Sequence, residues 1–511
     1  MIRTTILFTF FLGVTVDAFS QIVAPVSSQG SQAATLPLSG RPAQGGSVTA
    51  VQAPVPGTTT SVNTINPSVL IQGPYTGSSS STAEAPFNGK LSLRDSIERG
   101  IAYNLGPIGL NDLLRQARGQ NRISRSVLLP NVTGVVTEAV EQINLRAEGL
   151  RISVPIQGFT FPSIVGPFSY TDFRARLTQT IFDRTALNNY RAVEQVVRAD
   201  QFSIEDARDL TVLAVGGAYL QVIAAAARVD AGRAQLETAN ALYKQTADQR
   251  GVGLVAQIDV NRSQVQVLTQ QQRLSTLLND LSKQKINLAR LTGLPPNDQY
   301  DLTDDIVFSA APSLTLGDAL KQAFEQRSDL KAAETQVHAA ERNRTAARSE
   351  RLPSLFVSAD YGAIGVNPAQ AMGTFSVVGT LRIPIWEGGR TEGDIDQAEA
   401  ILSQRRAELS DTRAKIESDI RSAYLDLQAA TNQVDVAEKN VQVNDETLTL
   451  TRQKLDAGIS DNLAVVQSQD SLASARLDYI NSLFAHNVAK LALARAVGRA
   501  SESWPRFLTV K

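Results

Sequence analysis

The chain has 511 residues, with 49 Lys and Arg against 50 Asp and Glu, two His and no Cys. Near-cancelling charge leaves no basic field of the kind nucleic acid requires, so no nucleic-acid partner is expected. Absence of Cys excludes disulfides, thiolate metal sites, a Cys nucleophile and a lipid-modified N-terminal Cys. His338 and His486 stand alone and read as surface helix residues, so neither a metal nor a cofactor is expected.

Residues 1–20 have the form of an export signal. Arg3 supplies the positive charge, Ile6 to Val14 the apolar core, and Ala18-Phe19-Ser20 a small-residue cleavage site. Residues 21–88 are rich in Gly, Pro, Ser and Thr and nearly free of charge. They read as a disordered arm, because such a segment buries too little apolar area to offset its ordering entropy. No later stretch approaches 18 uninterrupted apolar residues, so a membrane role would need β-strands.

The remainder is an internal duplication, 89–310 and 311–500, with a tail at 501–511. Leu91-Ser-Leu-Arg-Asp-Ser-Ile97 matches Leu314-Thr-Leu-Gly-Asp-Ala-Leu320, and Leu129-Pro130 matches Leu352-Pro353. Farther on, Ala218-Tyr219-Leu220 matches Ala423-Tyr424-Leu425, Gly253 matches Gly458, and Arg290 matches Arg495. Each copy predicts a short helix, a second helix ending at the Leu-Pro pair, two β-like runs, a long helix and a return helix. The long helices fall near 185–249 and 390–456, the return helices near 257–292 and 462–497. In the second copy two apolar rows step by seven: Ile395, Leu402, Leu409, Ile416, Ala423, Ala430 and Ala437, and Ile420, Leu427, Val434, Val441, Leu448 and Leu455. Such a repeat drives left-handed coiling against partner helices.

The β-like runs alternate with period two. In 171–181, Phe173, Ala175, Leu177 and Ile181 alternate with Asp172, Arg174, Arg176 and Thr178. In 375–385, Phe375, Val377, Leu381 and Ile383 alternate with Ser376, Thr380, Arg382 and Pro384. A third run, Leu355 to Tyr361, does the same, and the one after Pro130 is less regular. The intervening 141–168 and 362–373 read as loops. An amphipathic sheet on a soluble core would give the same pattern. Read as membrane strands, four per chain cannot close a barrel, so oligomerisation would be required.

The order of elements, the duplication and several strings together resemble the TolC family of bacterial outer-membrane efflux proteins. Pro384-Ile385-Trp386-Glu387-Gly388-Gly389-Arg390 resembles that family's strand-to-helix junction, with Pro384, Gly388 and Gly389 shaping the turn. Gly251-Val252-Gly253-Leu254-Val255-Ala256-Gln257-Ile258-Asp259 is similar to its hairpin tip, and Asp456-Ala457-Gly458-Ile459-Ser460-Asp461 is a looser counterpart. The resemblance implies a mainly α chain with membrane β-strands: a coiled-coil α-barrel plus a trimeric 12-stranded outer-membrane β-barrel of four strands per chain. It implies a homotrimer in outer-membrane lipid, with helices extending into the periplasm. A periplasmic adaptor, driven by an inner-membrane pump, would dock at Val252, Gly253, Leu254, Asp259, Gly458, Ile459, Ser460 and Asp461. The family's ionic latch is mostly missing, since Ser460 stands where an Arg is usual and Ala464 and Gln467 where acidic residues are. Asp172, Arg174, Arg176 and Arg382 would face the barrel lumen.

The function so implied is a passive exit duct for small solutes, not an enzyme. A duct for a secreted polypeptide fits the same residues, and an exported coiled-coil scaffold without a pore is the reading of a different class. Gly251-Val-Gly253-Leu-Val-Ala256 satisfies a dinucleotide pattern, but a long helix precedes it where that site needs a strand.

Overall fold

The computed structural model describes residues 46–55, 64–79, 87, 89–147, 149, 162–297, 299–304, 308–310, 312–457, 459 and 462–508. The expected export signal at 1–20 lies outside them. In chain order the elements are β1 (Val48–Val55), β2 (Thr64–Ile71), a short 3-10 turn (Gly73–Thr76), β3 (Lys90–Leu91), α1 (Leu93–Tyr103), α2 (Leu105–Ser126), β4 (Asn131–Asn144), β5 (Ile164–Phe182), α3 (Arg184–Gly251) and α4 (Gln257–Thr292). The second copy follows with β6 (Asp301–Leu302), α5 (Leu316–Gln326), α6 (Ser328–Ser349), β7 (Ser354–Gly365), β8 (Met372–Arg382), α7 (Arg390–Asp456), α8 (Asn462–Val497) and α9 (Ala500–Phe507). The described residues form two compact units, one within 121–191 and 342–398, the other within 46–120, 192–341 and 399–508.

The first unit is built on an antiparallel sheet ordered β4-β5-β7-β8, so the two copies of the duplication meet at the β5–β7 pair. Strand pairing runs farther than the alternation alone shows. β4 continues to Asn144, β5 begins at Ile164, and the β7–β8 connection spans only Val366–Ala371. The expected loops at 141–168 and 362–373 are correspondingly shorter. β8 stops at Arg382, two residues before Pro384, which has no N–H to donate to a ladder.

The second unit buries the heptad rows. Ile416, Ile420, Ala430 and Val434 of α7 are at most 3% exposed. Val215, Tyr219 and Val222 of α3, Leu288 and Leu291 of α4, and Val488 and Leu491 of α8 complete the core. Full burial of each such side chain is worth about 1.5–3 kcal/mol. α3 also contains an 18-residue window apolar enough on average to span a membrane, although polar residues interrupt it. Packing explains it, since 78% of that window is buried inside the protein. Capping is regular: Ser92 and Asp95 form a reciprocal capping box at α1, and Thr315 accepts from the Asp318 N–H at α5.

Three sequence expectations change here. Residues 48–55 and 64–71 pair as a hairpin rather than lying in a disordered arm. Val48 and Tyr75 enter the core, and Val69 seats against Gly217 of α3, where an added Cβ would collide with it. The composition argument fails because a few apolar residues find a notch prepared by another part of the chain. Residues 500–507 form a helix rather than a tail; Phe507 and Leu508 are buried, and the Ser501 N–H and Oγ both donate to Asp209 at 2.8 Å. His486 is fully buried rather than on the surface, stacked on Phe308 at 5.1 Å, because α8 is covered on that side by the segment joining the two copies.

Candidate channel surfaces

The sheet has two unlike faces, and strand register decides which residues share each. Arg174 lies opposite Val135 and Gly362, Arg176 opposite Thr133 and Asp360, and Asp360 opposite Ser376. This face is therefore mostly polar. On the other face Phe173 pairs with Val136 and Ala363, Ala175 with Tyr361, and Tyr361 with Phe375. Val136 is 69% and Phe375 77% exposed, whereas the Arg174 side chain is only 9% exposed. The apolar face is the open one, the reverse of a sheet packed on a water-soluble core. β4 and β8 are its two edges.

Of the residues expected to face a lumen, the structure brings Asp172 and Arg174 together and adds Asp360. Arg174 Nη2 donates to Asp172 Oδ2 at 3.0 Å and Nη1 to Asp360 Oδ1 at 2.9 Å. Arg176 shares this face by register, and Arg382, opposite Ser354, ends it and approaches Glu387 at 3.9 Å. Asp360 is read in the sequence only as a polar position in an alternating run. Its pairing spans 186 residues, and nothing short of the register shows it.

The strand-to-helix junctions of the two copies use different chemistry. Gly388 and Gly389 adopt φ of 65° and 85°, a left-handed conformation that side chains disfavour. Arg390 then donates to Glu350 at 3.1 Å, Glu387 at 2.6 Å and Asp394 at 3.2 Å, tying the start of α7 to the end of α6. In the first copy, which lacks the glycine pair, Asp183 caps α3 by accepting from the Ala186 N–H at 2.8 Å. Between Pro384 and the glycines, Ile385 and Trp386 are 94% and 86% exposed. Sequence reasoning treats these two as part of a motif. Their position beside a strand end, an aromatic next to an apolar residue, is the signal that marks them as a surface.

At the first hairpin tip, Gly253 has φ of 79°; its N–H donates to Arg250 O at 3.0 Å and the Leu254 N–H to Gln249 O at 2.9 Å. This is a Schellman ending, and it leaves Val252 and Leu254 73% and 75% exposed. The second tip repeats the longer bond, from Ile459 N–H to Lys454 O at 2.9 Å, and Ile459 is 78% exposed. Asp259 lies in the first turn of α4 and pairs along its own helix with Arg262 at 3.6 Å. Gly458, Ser460 and Asp461 lie outside the described residues.

Residues 113–294 and 319–499 match the family described as Outer membrane efflux protein. The chain belongs to that family. It is 25% identical over 435 residues to the toluene efflux pump outer membrane protein TtgF of Pseudomonas putida, covering 82% of this chain and 86% of that one. Outer membrane protein OprJ of Pseudomonas aeruginosa is 23% identical over 405 residues, covering 75% of this chain and 79% of that one. Among solved structures, VceC of Vibrio cholerae superposes with a TM-score of 0.68 at 18% identity, over 80% of this chain and 96% of that one. The CmeC channel of Campylobacter jejuni gives 0.69 at 17% identity, over 81% and 89%. The fold is thus that of the TolC-like channels, and the protein is an outer-membrane efflux channel rather than an enzyme.

Proposed function

We propose that three copies close one barrel of twelve strands, four from each, and pass small solutes outward from a periplasmic adaptor and an inner-membrane pump. The observation that carries this reading is the four-stranded sheet, with an open apolar face, a polar face on which Arg174 and Asp360 are paired and buried, and strand edges at both sides. Backbone groups at such edges must be paired in lipid, and head-to-tail pairing of β8 with the next copy's β4 closes a ring without leaving any over. Lipid then meets Val136, Phe173 and Phe375, while Trp386 and Ile385 sit at the bilayer's polar boundary, where aromatic girdles collect. Polar Asp172, Arg174, Arg176 and Arg382 line the lumen. The exposed tip residues Val252, Leu254 and Ile459 are the apolar knobs offered to the adaptor, with Gly253, Gly458, Asp259, Ser460 and Asp461 shaping the contact.

Small-solute cargo is favoured over a polypeptide by the named relatives, of which one is a toluene efflux pump component. The direct test is conductance of the purified protein in a planar bilayer, together with its mass in detergent. A non-conducting monomer would end the proposal. Because Arg174 is engaged by two carboxylates, selectivity falls to its neighbours on the same face. Arg176→Glu with Arg382→Glu should shift the reversal potential toward cation preference, and an unchanged potential would remove these residues from the lumen.

A further inference from the structure

In the helical unit the hairpin α3/α4 meets the hairpin α7/α8 around a cavity of about 40 Å³. Gln235 of α3, Gln266 and Gln270 of α4, Leu448 of α7, and Gln469 and Asp470 of α8 are among its walls. One direct hydrogen bond crosses it, from Gln266 Nε2 to Asp470 Oδ1 at 2.7 Å. Gln270 is 5% exposed, and its Oε1 finds no hydrogen-bond partner among the described residues. The same holds for both Nε2 and Oε1 of Gln235. Three enclosed amide atoms in one small cavity are strongly disfavoured if left without partners.

We infer that this cavity is a water site that joins the two hairpins through Gln235 and Gln270. The chemistry of the orphaned atoms selects the occupant. Gln235 needs both a donor and an acceptor, whichever way its amide is turned. A cation cannot accept from the Nε2, an anion cannot donate to the Oε1, and water does both. At roughly 10–15 Å³ of such volume per molecule, there is room for about three or four waters. The site also has the polar partners that a buried water needs, with Asp470 and Gln469 adding further acceptors.

The consequence is mechanical. A direct hydrogen bond between two packed helices holds one register, whereas a water-bridged pair re-forms as the helices slide by a fraction of a turn. The contact through Gln235 and Gln270 can therefore re-form under small shifts, while Gln266–Asp470 and Arg228–Asn481 bond directly across the same seam and limit how far it moves.

The test is a double-mutant cycle on the full-length protein in detergent, with Gln235→Leu, Gln270→Leu and the pair. Each single variant strands the waters and should melt a few degrees lower. The pair expels them and should melt well above the sum of the two shifts. Spin labels on the exposed faces of α4 and α8 should report a narrower distance distribution in the pair than in the parent. Additive melting shifts between these two residues, which share no direct hydrogen bond, would overturn the inference. So would a high-resolution structure in which Gln235 and Gln270 bond to protein groups across a dry cavity.

Discussion

His486 and Lys490 lie one turn apart on α8, both fully buried. Lys490 donates to Ser309 O at 3.1 Å and Ser309 Oγ at 2.7 Å, so its charge rests on neutral oxygens. Burial lowers its pKa to about 8. Burial, with the Lys490 charge adding to it, lowers His486 to about 4. Between about pH 4 and the unfolded value near 6.5 the unfolded chain therefore binds the extra proton, and stability falls as pH falls through that window. His486→Phe should remove that loss, by up to about 3 kcal/mol at pH 4, and leave stability near pH 7.5 little changed. Denaturation midpoints at the two pH values decide it. Elsewhere in the same unit two buried guanidinium groups are paired with carboxylates. Arg495 meets Asp206, and Arg327 binds Asp329 at 2.6 Å and Asp419 at 3.2 Å. Burial works against the Arg495 charge, but Asp206, Asp329, Asp209 and Asp419 outweigh it and raise its pKa. Burial pushes the Asp206 carboxyl up while Arg495 pulls it down, and the pair is ionic because the guanidinium keeps its proton. Truncating one partner, as in Asp329→Ala, should cost about 3–5 kcal/mol by leaving a buried cation short of charge. A loss under 1 kcal/mol in chemical denaturation would contradict that.

Among the elements, the long helices were legible because their signal is local and repeated. Ile416 and Ile420 belong to the two heptad rows and are fully buried, so Ile420→Ala should cost about 2–5 kcal/mol. The strands were legible as alternation but not as a register, and for that reason Asp360 escaped notice while Asp172 and Arg174 did not. The hairpin β1–β2 was not legible at all. Its apolar residues are interspersed with Pro, Thr and Asn in a stretch that reads as low-complexity, and what holds it is supplied far away, at Gly217 and along α8. Gly216 beside it takes Leu491 in the same manner, where an added Cβ would stand 2.6 Å from Cδ2. Gly217→Leu should therefore displace the hairpin and expose residues 48–71 to limited proteolysis, while far-UV circular dichroism of the helices stays near the parent's. Protection as in the parent would show that the notch is dispensable.

For the whole molecule, the decisive surfaces are those one copy leaves open. A third row on α7, Val436, Val443 and Leu450, also steps by seven, and these residues are 65%, 61% and 50% exposed. It is hidden in the sequence because counting apolar positions cannot separate an exposed row from the buried ones. On the trimer reading a second copy covers it, and Val443→Asp should shift the detergent-purified protein from trimer toward monomer in light scattering. The same open faces govern how the channel is made. A freshly exported copy reaches the periplasm with lipid-seeking strands and two unmatched borders that any similar strand can join. Its route is then a race between insertion and clumping, with collision among unfinished copies rising faster than their number. Yield should depend on how quickly each is handed to the membrane, and doubling synthesis without doubling that hand-over should fill inclusion bodies before it fills the outer membrane.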